Sequence, residues 1–293
     1  MHEALPSKTA LRVALRRAAH QLYDKKPLVF DDPLAVPILG PEFREELNRT
    51  PDADRRPFSA ALRAFMVVRA RLAEDTLAQG VTELGVRQYL VLGAGLDTFA
   101  YRNPHPQVRV FEVDHPATQA WKRERLQAAC IAIPDNVTLV AVDFERQALA
   151  EELLAARFDT KIPTVTAWLG VAPYLTLEAF RDTTGLLGSF APGSAVVFDY
   201  SQPREVLPPV EKLMLDSLSS RVAQAGEPFR LFFTPDALEQ ELKLAGLEVI
   251  EDLDGPALTK KLLEGRKDGL QLRGQAGRIC VARVARQLAR KTQ

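Results

Sequence analysis

Apolar and polar positions run through this chain in two rhythms, one helical and one alternating. Residues 7–24 have helical spacing and many basic groups, with Ser7 placed to cap the first turn. Pro27, Pro33, Pro37 and Pro41 then punctuate a loop-rich stretch with short helices. Ser59 to Gln79 reads as a long helix closed by Gly80. From there the rhythm alternates. Strands are predicted at 87–92, 108–113, 137–142, 164–169 and 194–199. Helices are predicted at 97–102 (short), 116–130, 147–156 and 176–190. Alternation of this kind implies a parallel sheet with helices on both faces.

The C-terminal third has a different order. Helices at about 206–223 and 235–245 precede a strand at Leu247-Glu248-Val249-Ile250, and Arg278 to Val284 forms the last strand. Two late strands that pair antiparallel would complete a seven-stranded sheet. The expected fold is α/β and doubly wound, with helical additions at the N-terminus and in the C-terminal third. Residues 1–80 form a helical cap, and 81–293 form the core with a lid insertion at about 203–235. The whole is expected to be one structural domain.

The glycine turn carries the first chemical signal. Val91-Leu92-Gly93-Ala94-Gly95-Leu96-Asp97 follows an apolar strand and leads into the short helix predicted at 97–102. Two glycines let the backbone pass close to a ligand. Asp114 ends the next strand about 21 residues after Gly93, near the spacing of a ribose-binding acid. A dinucleotide fingerprint would need a third glycine where Thr98 stands, and Asp97 would set a negative charge beside a pyrophosphate. An adenosine cofactor without phosphate, S-adenosylmethionine (SAM), suits the turn better.

Composition narrows the remaining classes. Hydrophobic residues make up 46% and charged residues 26% of 293 positions, enough for a sizeable core. Thirty-eight basic side chains balance 38 acidic ones, which argues against a nucleic-acid binder that relies on a broad basic field. Cys130 and Cys280 suggest neither a disulfide framework nor a zinc site, and the four histidines form no metal pair. The N-terminus has no signal-peptide core, and no window approaches 18 apolar residues. The expected location is the cytoplasm, with no membrane partner and no metal.

Val91 to Arg102, Phe111-Glu112-Val113-Asp114-His115-Pro116, Val140 to Phe144 and Leu169-Gly170-Val171-Ala172-Pro173-Tyr174-Leu175 together resemble one family. It is the leucine carboxyl methyltransferase-like family of SAM-dependent methyltransferases, and the bacterial O-methyltransferase branch in particular. The resemblance spans about Phe58 to Tyr200. It implies SAM as cofactor and a small molecule or peptide terminus as methyl acceptor, at a carboxylate or hydroxyl oxygen. The broader family often has Glu-Gly-Val where this chain has Leu169-Gly170-Val171, so the contact to the cofactor's ammonium needs another source, such as a backbone carbonyl.

Arg69 lies on the same helical stripe as Leu62, Phe65, Met66, Leu72, Ala73, Thr76 and Leu77, whereas Arg71 is about 200° away. A guanidinium facing inward needs an anion. The cofactor carboxylate would serve, as the family implies; a core acid or snorkelling to the edge would also serve. Gly93, Ala94 and Gly95 would lie under the methionine part. Asp97 would reach the ammonium or cap a helix. Asp114 would accept from both ribose hydroxyls, with Glu112 as competitor on the same sheet face. His115 stands at a helix entry beside it. Asp143 would accept from the adenine amine or cap the following helix, and Phe144 would offer its N–H and ring.

Arg102, Tyr174, Asp199 and Tyr200 are substrate-pocket candidates. For Arg102 a loop-fixing ion pair is an equal reading, and for Tyr174 a buried structural role. No catalytic base is evident. Two rivals stand beside the methyltransferase reading. One is an NAD(P)-dependent oxidoreductase, which would need a phosphate-compatible turn and a catalytic Tyr/Lys or His set. The other is a noncatalytic SAM-binding protein, which the Leu169 departure leaves open.

Overall fold

A computed structural model describes residues 7–49, 57–143, 147–224 and 226–285. Among the described residues, seven strands form one sheet in the order β3-β2-β1-β4-β5-β7-β6. They are β1 (Gln88–Leu92), β2 (Arg109–Asp114), β3 (Val137–Ala141), β4 (Thr164–Trp168), β5 (Ala195–Ser201), β6 (Leu247–Leu253) and β7 (Gly277–Val284). The first five pair in parallel. β7 enters antiparallel between β5 and β6, as the two late strands predict.

Strand periodicity divides the core. Tyr89 and Val91 of β1, Val165 and Ala167 of β4, and Ala195 and Val197 of β5 join one apolar cluster. Leu90, Leu92, Trp168, Val196 and Phe198 join the other. Successive side chains point to opposite faces, so continuous apolar runs fill both sides of a parallel sheet.

The helices are α1 (Lys8–Tyr23), α2 (Pro41–Arg49), α3 (Pro57–Glu83), α4 (Pro116–Ala128), α5 (Leu149–Ala155), α6 (Leu177–Gly188), α7 (Pro209–Gln224), α8 (Pro235–Leu244) and the single turn α9 (Gly255–Leu258). Ser7 caps α1, its Oγ accepting from the Ala10 N–H at 3.1 Å. Ala64, Val67, Val68, Leu72 and Leu77 of α3 are buried in the cluster that holds Tyr89 and Val91. The opposite face receives Phe180 and Leu187 of α6 and Leu238 and Leu242 of α8.

Three expectations are corrected. α3 runs past Gly80 to Glu83. Gly80 is needed for packing, since a Cβ there would lie 2.8 Å from Val86 Cγ2; Gly85, at φ +70, is the residue with left-handed backbone after the helix. No α-helix follows the glycine turn. Residues 97–102 hold one 3₁₀ turn, Phe99–Tyr101, with Pro104 and Pro106 close behind. β6 extends to Leu253, beyond the predicted Ile250, through a register shift between Val249 and Glu251. Its polar end reads as loop because Asp252 is held by Arg278 and Tyr200, not by apolar burial. The end of the 203–235 segment reaches the core. Leu231 and Phe233 are buried in the sheet core, and the Phe233 N–H donates to the Ser201 carbonyl at 3.1 Å.

Candidate functional site

The C-terminal ends of β1, β2 and β4 open on a cavity of about 420 Å³, where open α/β sheets bind ligands. Its floor is the glycine turn. Gly93 and Gly95 have φ of +68 and +48. A Cβ on Gly93 would lie 2.4 Å from Val171 Cγ2, and one on Gly95 would lie 3.1 Å from the Ala10 methyl of α1. Both are cradle positions that a side chain would fill. The Gly93 and Ala94 N–H groups donate to the Val113 carbonyl at 2.9 and 3.1 Å. That fixes the turn against the end of β2.

Asp114 terminates β2 at the cavity edge. Oδ2 accepts from the Gly95 N–H at 2.5 Å and Oδ1 from the His115 N–H at 2.7 Å. Burial raises its pKa above the ordinary carboxylate value, against the opposing pull of those two donors. Each oxygen has a second lone pair for a ribose hydroxyl. Glu112 faces elsewhere: it is buried against the Lys122 ammonium at 2.7 Å and accepts from the Tyr101 hydroxyl at 2.8 Å. His115 caps α4, its Nδ1 accepting from Ala117 N–H at 3.2 Å, and its residue also lines the cavity.

A buried ion network holds the next stretch of the turn. Arg17 of α1 donates to Asp32 at 2.5 Å, to Asp97 at 3.0 Å and to Thr98 at 2.9 Å. Asp97 also accepts from the Phe99 N–H at 2.8 Å. It therefore braces the start of the 3₁₀ turn from one residue before its N-cap, Thr98, while lining the cavity. Burial works against its ionisation, but Arg17, Lys122 and Arg102 outweigh that and keep its pKa low. Arg102 turns away from both cavities. It grips Glu74 with both prongs, at 2.9 Å through Nη1, and lies 3.2 Å from Asp32. These are loop-fixing pairs of the kind that the sequence left open for Arg102.

Arg69 points inward from α3 and finds a core acid. Its Nη1 donates to Asp199 Oδ2 at 2.9 Å, with both side chains under a tenth exposed. Asp199 Oδ1 accepts from the Gly170 N–H at 2.6 Å. Gly170 has φ +71, and a Cβ there would sit 2.9 Å from Arg69 Nη2. Arg69 thus has the core partner that the sequence left open, and it lines the cavity as well. Leu169 lines the same wall, but its side chain packs on the apolar core.

Arg69, Gly170, Tyr174, Met66, Thr9 and Val13 also line a second cavity, of about 490 Å³. The two cavities share this wall. Asp199 and Tyr200 belong to the second, where the Tyr200 hydroxyl donates to Asp252 at 2.8 Å. Burial pushes the Tyr174 phenol up to about 12, so it stays a neutral donor at ordinary pH. Asp143 lies outside the lining of both cavities. It joins the helix entry, with Gln147 Oε1 accepting from its N–H at 2.9 Å. Phe144 lies outside the described residues.

Charge separates the two cavities. Among the described residues the first is lined by four carboxylates, Glu74, Asp97, Asp114 and Glu227, against Arg17, Arg69 and Arg230. SAM carries a sulfonium, an ammonium and one carboxylate, so its net charge complements that lining; a dinucleotide's does not. Glu227 offers a carboxylate that Leu169 lacks. Its Oε1 accepts from Ser7 at 2.8 Å, and its buried Oε2 has no hydrogen-bond partner. The glycine cradle, the Asp114 carboxylate and this balance fit the cofactor.

Sequence reasoning missed Arg17, Glu74, Glu227 and the whole contribution of α1 to both cavities. Arg17 was findable, since it stands on the stripe of Ala14 and Ala18 that is buried. Glu227 carried no signal, because it sits in a stretch without periodicity.

The leucine carboxyl methyltransferase family profile matches residues 10–187. A Bacillus subtilis protein, YktD, is 32% identical over 288 residues, covering 90% of this chain and 93% of that protein; it carries the name of a SAM-dependent methyltransferase. A Parafrankia protein with the same kind of name is 35% identical over 198 residues, 66% of this chain and 62% of its own length. Among solved structures, a Thermobifida fusca protein named as a methyltransferase has TM-score 0.60 at 16% identity, covering 97% of both chains. A DUF574 family protein from Streptomyces avermitilis has TM-score 0.55 at 19% identity, covering 92% of this chain and 96% of that one. These two establish the fold.

Proposed function

The chain belongs to the leucine carboxyl methyltransferase family and is a SAM-dependent methyltransferase; on that footing we propose that its acceptor is an oxygen, a carboxylate or hydroxyl, of a small molecule. The observation that carries this reading is the wall shared by the two cavities, made by Arg69, Gly170 and Tyr174. A donor in the first cavity and an acceptor in the second would meet there.

The cofactor supplies a methyl carbon already activated by its sulfonium. The protein's task is then to align the nucleophile with that carbon, which is catalysis by proximity and orientation. Gly93, Ala94 and Gly95 shape the floor beneath the methionine part, and Asp114 holds the ribose. Glu227, Asp97 and Glu74 set a negative field around the cationic groups. Arg69 reaches the cofactor carboxylate while Asp199 keeps the guanidinium in place.

Base catalysis has little support at the shared wall. Asp199 is occupied by a guanidinium and an N–H, and Tyr174 stays protonated. An acceptor that arrives ionised needs no base, and of the two oxygen classes this favours a carboxylate. Tyr174 then serves as a donor that orients it.

Titration calorimetry with SAM, its demethylated product and NAD tests the cofactor half. SAM is expected to bind in the micromolar range, roughly −8 kcal/mol, and NAD far more weakly. Transfer of a labelled methyl across a panel of small carboxylates, phenols, amines and thiols tests the acceptor half. Labelling confined to nitrogen or sulfur acceptors would reject the oxygen reading.

A further inference from the structure

The second cavity has walls of one character and a mouth of another. Phe58, Leu62, Phe65, Met214, Leu218 and Phe229 make its walls apolar. Arg12, Arg221 and Arg273 also line it and are exposed at its opening, with Arg16 half-buried beside them. These arginines come from three separate elements. Arg12 and Arg16 are on α1, Arg221 is in the last turn of α7, and Arg273 is on the segment before β7.

Two of these arginines, Arg12 and Arg221, are held together by structure. The Arg12 guanidinium donates to the Arg221 carbonyl at 3.3 Å. The Arg221 guanidinium lies over the Phe58 ring, 5.2 Å from its centre. Among the described residues the one carboxylate in the lining is Asp199, at the far wall and already paired with Arg69. Glu211 packs against Gly274, the neighbour of Arg273, and its Oε2 accepts from the Gln275 and Ala276 N–H groups at 2.8 and 2.9 Å, but it does not line the cavity. Like charges converging on an opening cost energy unless an anion or solvent compensates them. A cavity of this size buries most of a small ligand.

We infer that the acceptor is an amphipathic anion: an apolar body that fills the cavity, with an acidic group at the arginine mouth, distinct from the oxygen that takes the methyl. This rests on the methyltransferase reading for the word acceptor, and on the cavity alone for the ligand class. The apolar body runs from the mouth to the shared wall, so it sets the distance between the acidic group and the reacting oxygen. Arg221 and Arg273 are specificity residues that read the remote charge; neither touches the reacting atoms.

The test uses three ten-carbon probes on the full chain, titrated in the presence of demethylated cofactor so that no turnover occurs. They are decanoate, decanol and decyltrimethylammonium. Decanoate is expected to bind at least about tenfold tighter than the other two, with a preference that shrinks as salt rises. In the Arg221→Gln/Arg273→Gln double variant the decanoate preference over decanol should fall to within about threefold, while affinity for SAM is unchanged. Both side chains are exposed, so folding is expected to survive, and a thermal melt checks it.

Equal or tighter binding of decanol or of the cation overturns the inference. A decanoate preference that survives the double variant overturns the assignment of Arg221 and Arg273 as the residues that read the charge, and Arg12 and Arg69 are then substituted in turn. Failure of SAM to bind would reject the proposed function and leave the probe ranking to stand or fall by itself.

Discussion

Asp114 and Arg69 make different demands on the apo protein. Asp114 ends a strand at a cavity edge and is held by two backbone N–H groups. Asp114→Ala should weaken SAM binding by about 1.5–3 kcal/mol, the scale of hydrogen bonds to a charge, with the fold intact; calorimetry on the folded variant decides. Protonation has the same consequence by another route. The Asp114 pKa is raised by burial, and ribose donors bind only the ionised form's full acceptor set. SAM affinity should therefore fall as pH drops through that raised value, at higher pH than for an exposed aspartate, and the Ala variant should lose this dependence.

Arg69→Met would strand Asp199 in the core with one N–H for company. Removing one partner of a buried pair costs about 3–5 kcal/mol, whereas replacing both by apolar groups is often neutral. The single variant should melt well below the parent, and Arg69→Met/Asp199→Leu should recover most of the loss. Arg71, exposed and paired with Asp75 at 2.7 Å, should tolerate Met within about 0.5 kcal/mol. An unchanged melt for Arg69→Met would show that the pair carries no structural weight.

At the scale of elements, α6 offers a contrast within one turn. A Cβ on Gly188 would lie 1.7 Å from the Ala245 carbonyl oxygen at the end of α8, whereas one on Gly185 would meet nothing within 4 Å. Gly188→Ala must push α6 and α8 apart and should cost about 1–3 kcal/mol. Gly185→Ala should stabilise by roughly 0.5–1 kcal/mol, since it removes backbone freedom from the unfolded chain. Denaturant melts of the two variants should move in opposite directions.

Elements also mark how far the sequence alone could go. Strand runs were legible because both faces of the sheet are apolar, and the glycine turn because φ above zero excludes most residues. The stripe of α3 placed Arg69 inward, yet nothing near it in the chain announced Asp199, 130 residues away. The same stripe rule applies to Arg17 in α1, so that residue was within reach. Gly80 misled because a close helix–strand approach and a helix stop use the same residue. The short helix after the turn was misjudged because polar groups, Asp97 and Thr98, close a 3₁₀ turn there without apolar periodicity.

For the molecule as a whole, part of the acid stability should come from a junction between α1 and α3. Asp24 follows α1 and binds His20 at 2.6 Å and both prongs of Arg63, at 2.9 and 2.7 Å. Burial opposes its ionisation, but the His20 and Arg63 hydrogen bonds win and bring its pKa from 3.8 to about 2. A carboxylate whose folded value is depressed adds stability above the unfolded value and loses it as pH falls through the folded one. The contribution, up to about 2 kcal/mol, should be present above pH ~4 and gone below pH ~2. Asp24→Asn should flatten stability against pH across that window, and an unaltered acid limb would place the dependence elsewhere.

That junction fastens only the far end of α1. Its first turns lie over both cavities and are held to the opposite side by Ser7 on Glu227 and by Arg12 on the Arg221 carbonyl. One helix end therefore forms a wall common to both cavities, and occupancy of one is expected to change residence in the other. A ligand in the second cavity that bridges its walls and α1 should slow escape of demethylated cofactor from the first without touching it. Chasing bound, labelled product with excess unlabelled product, with and without decanoate, would show this as a slower off-rate. Ser7→Ala, which drops one latch, should speed release in both cases.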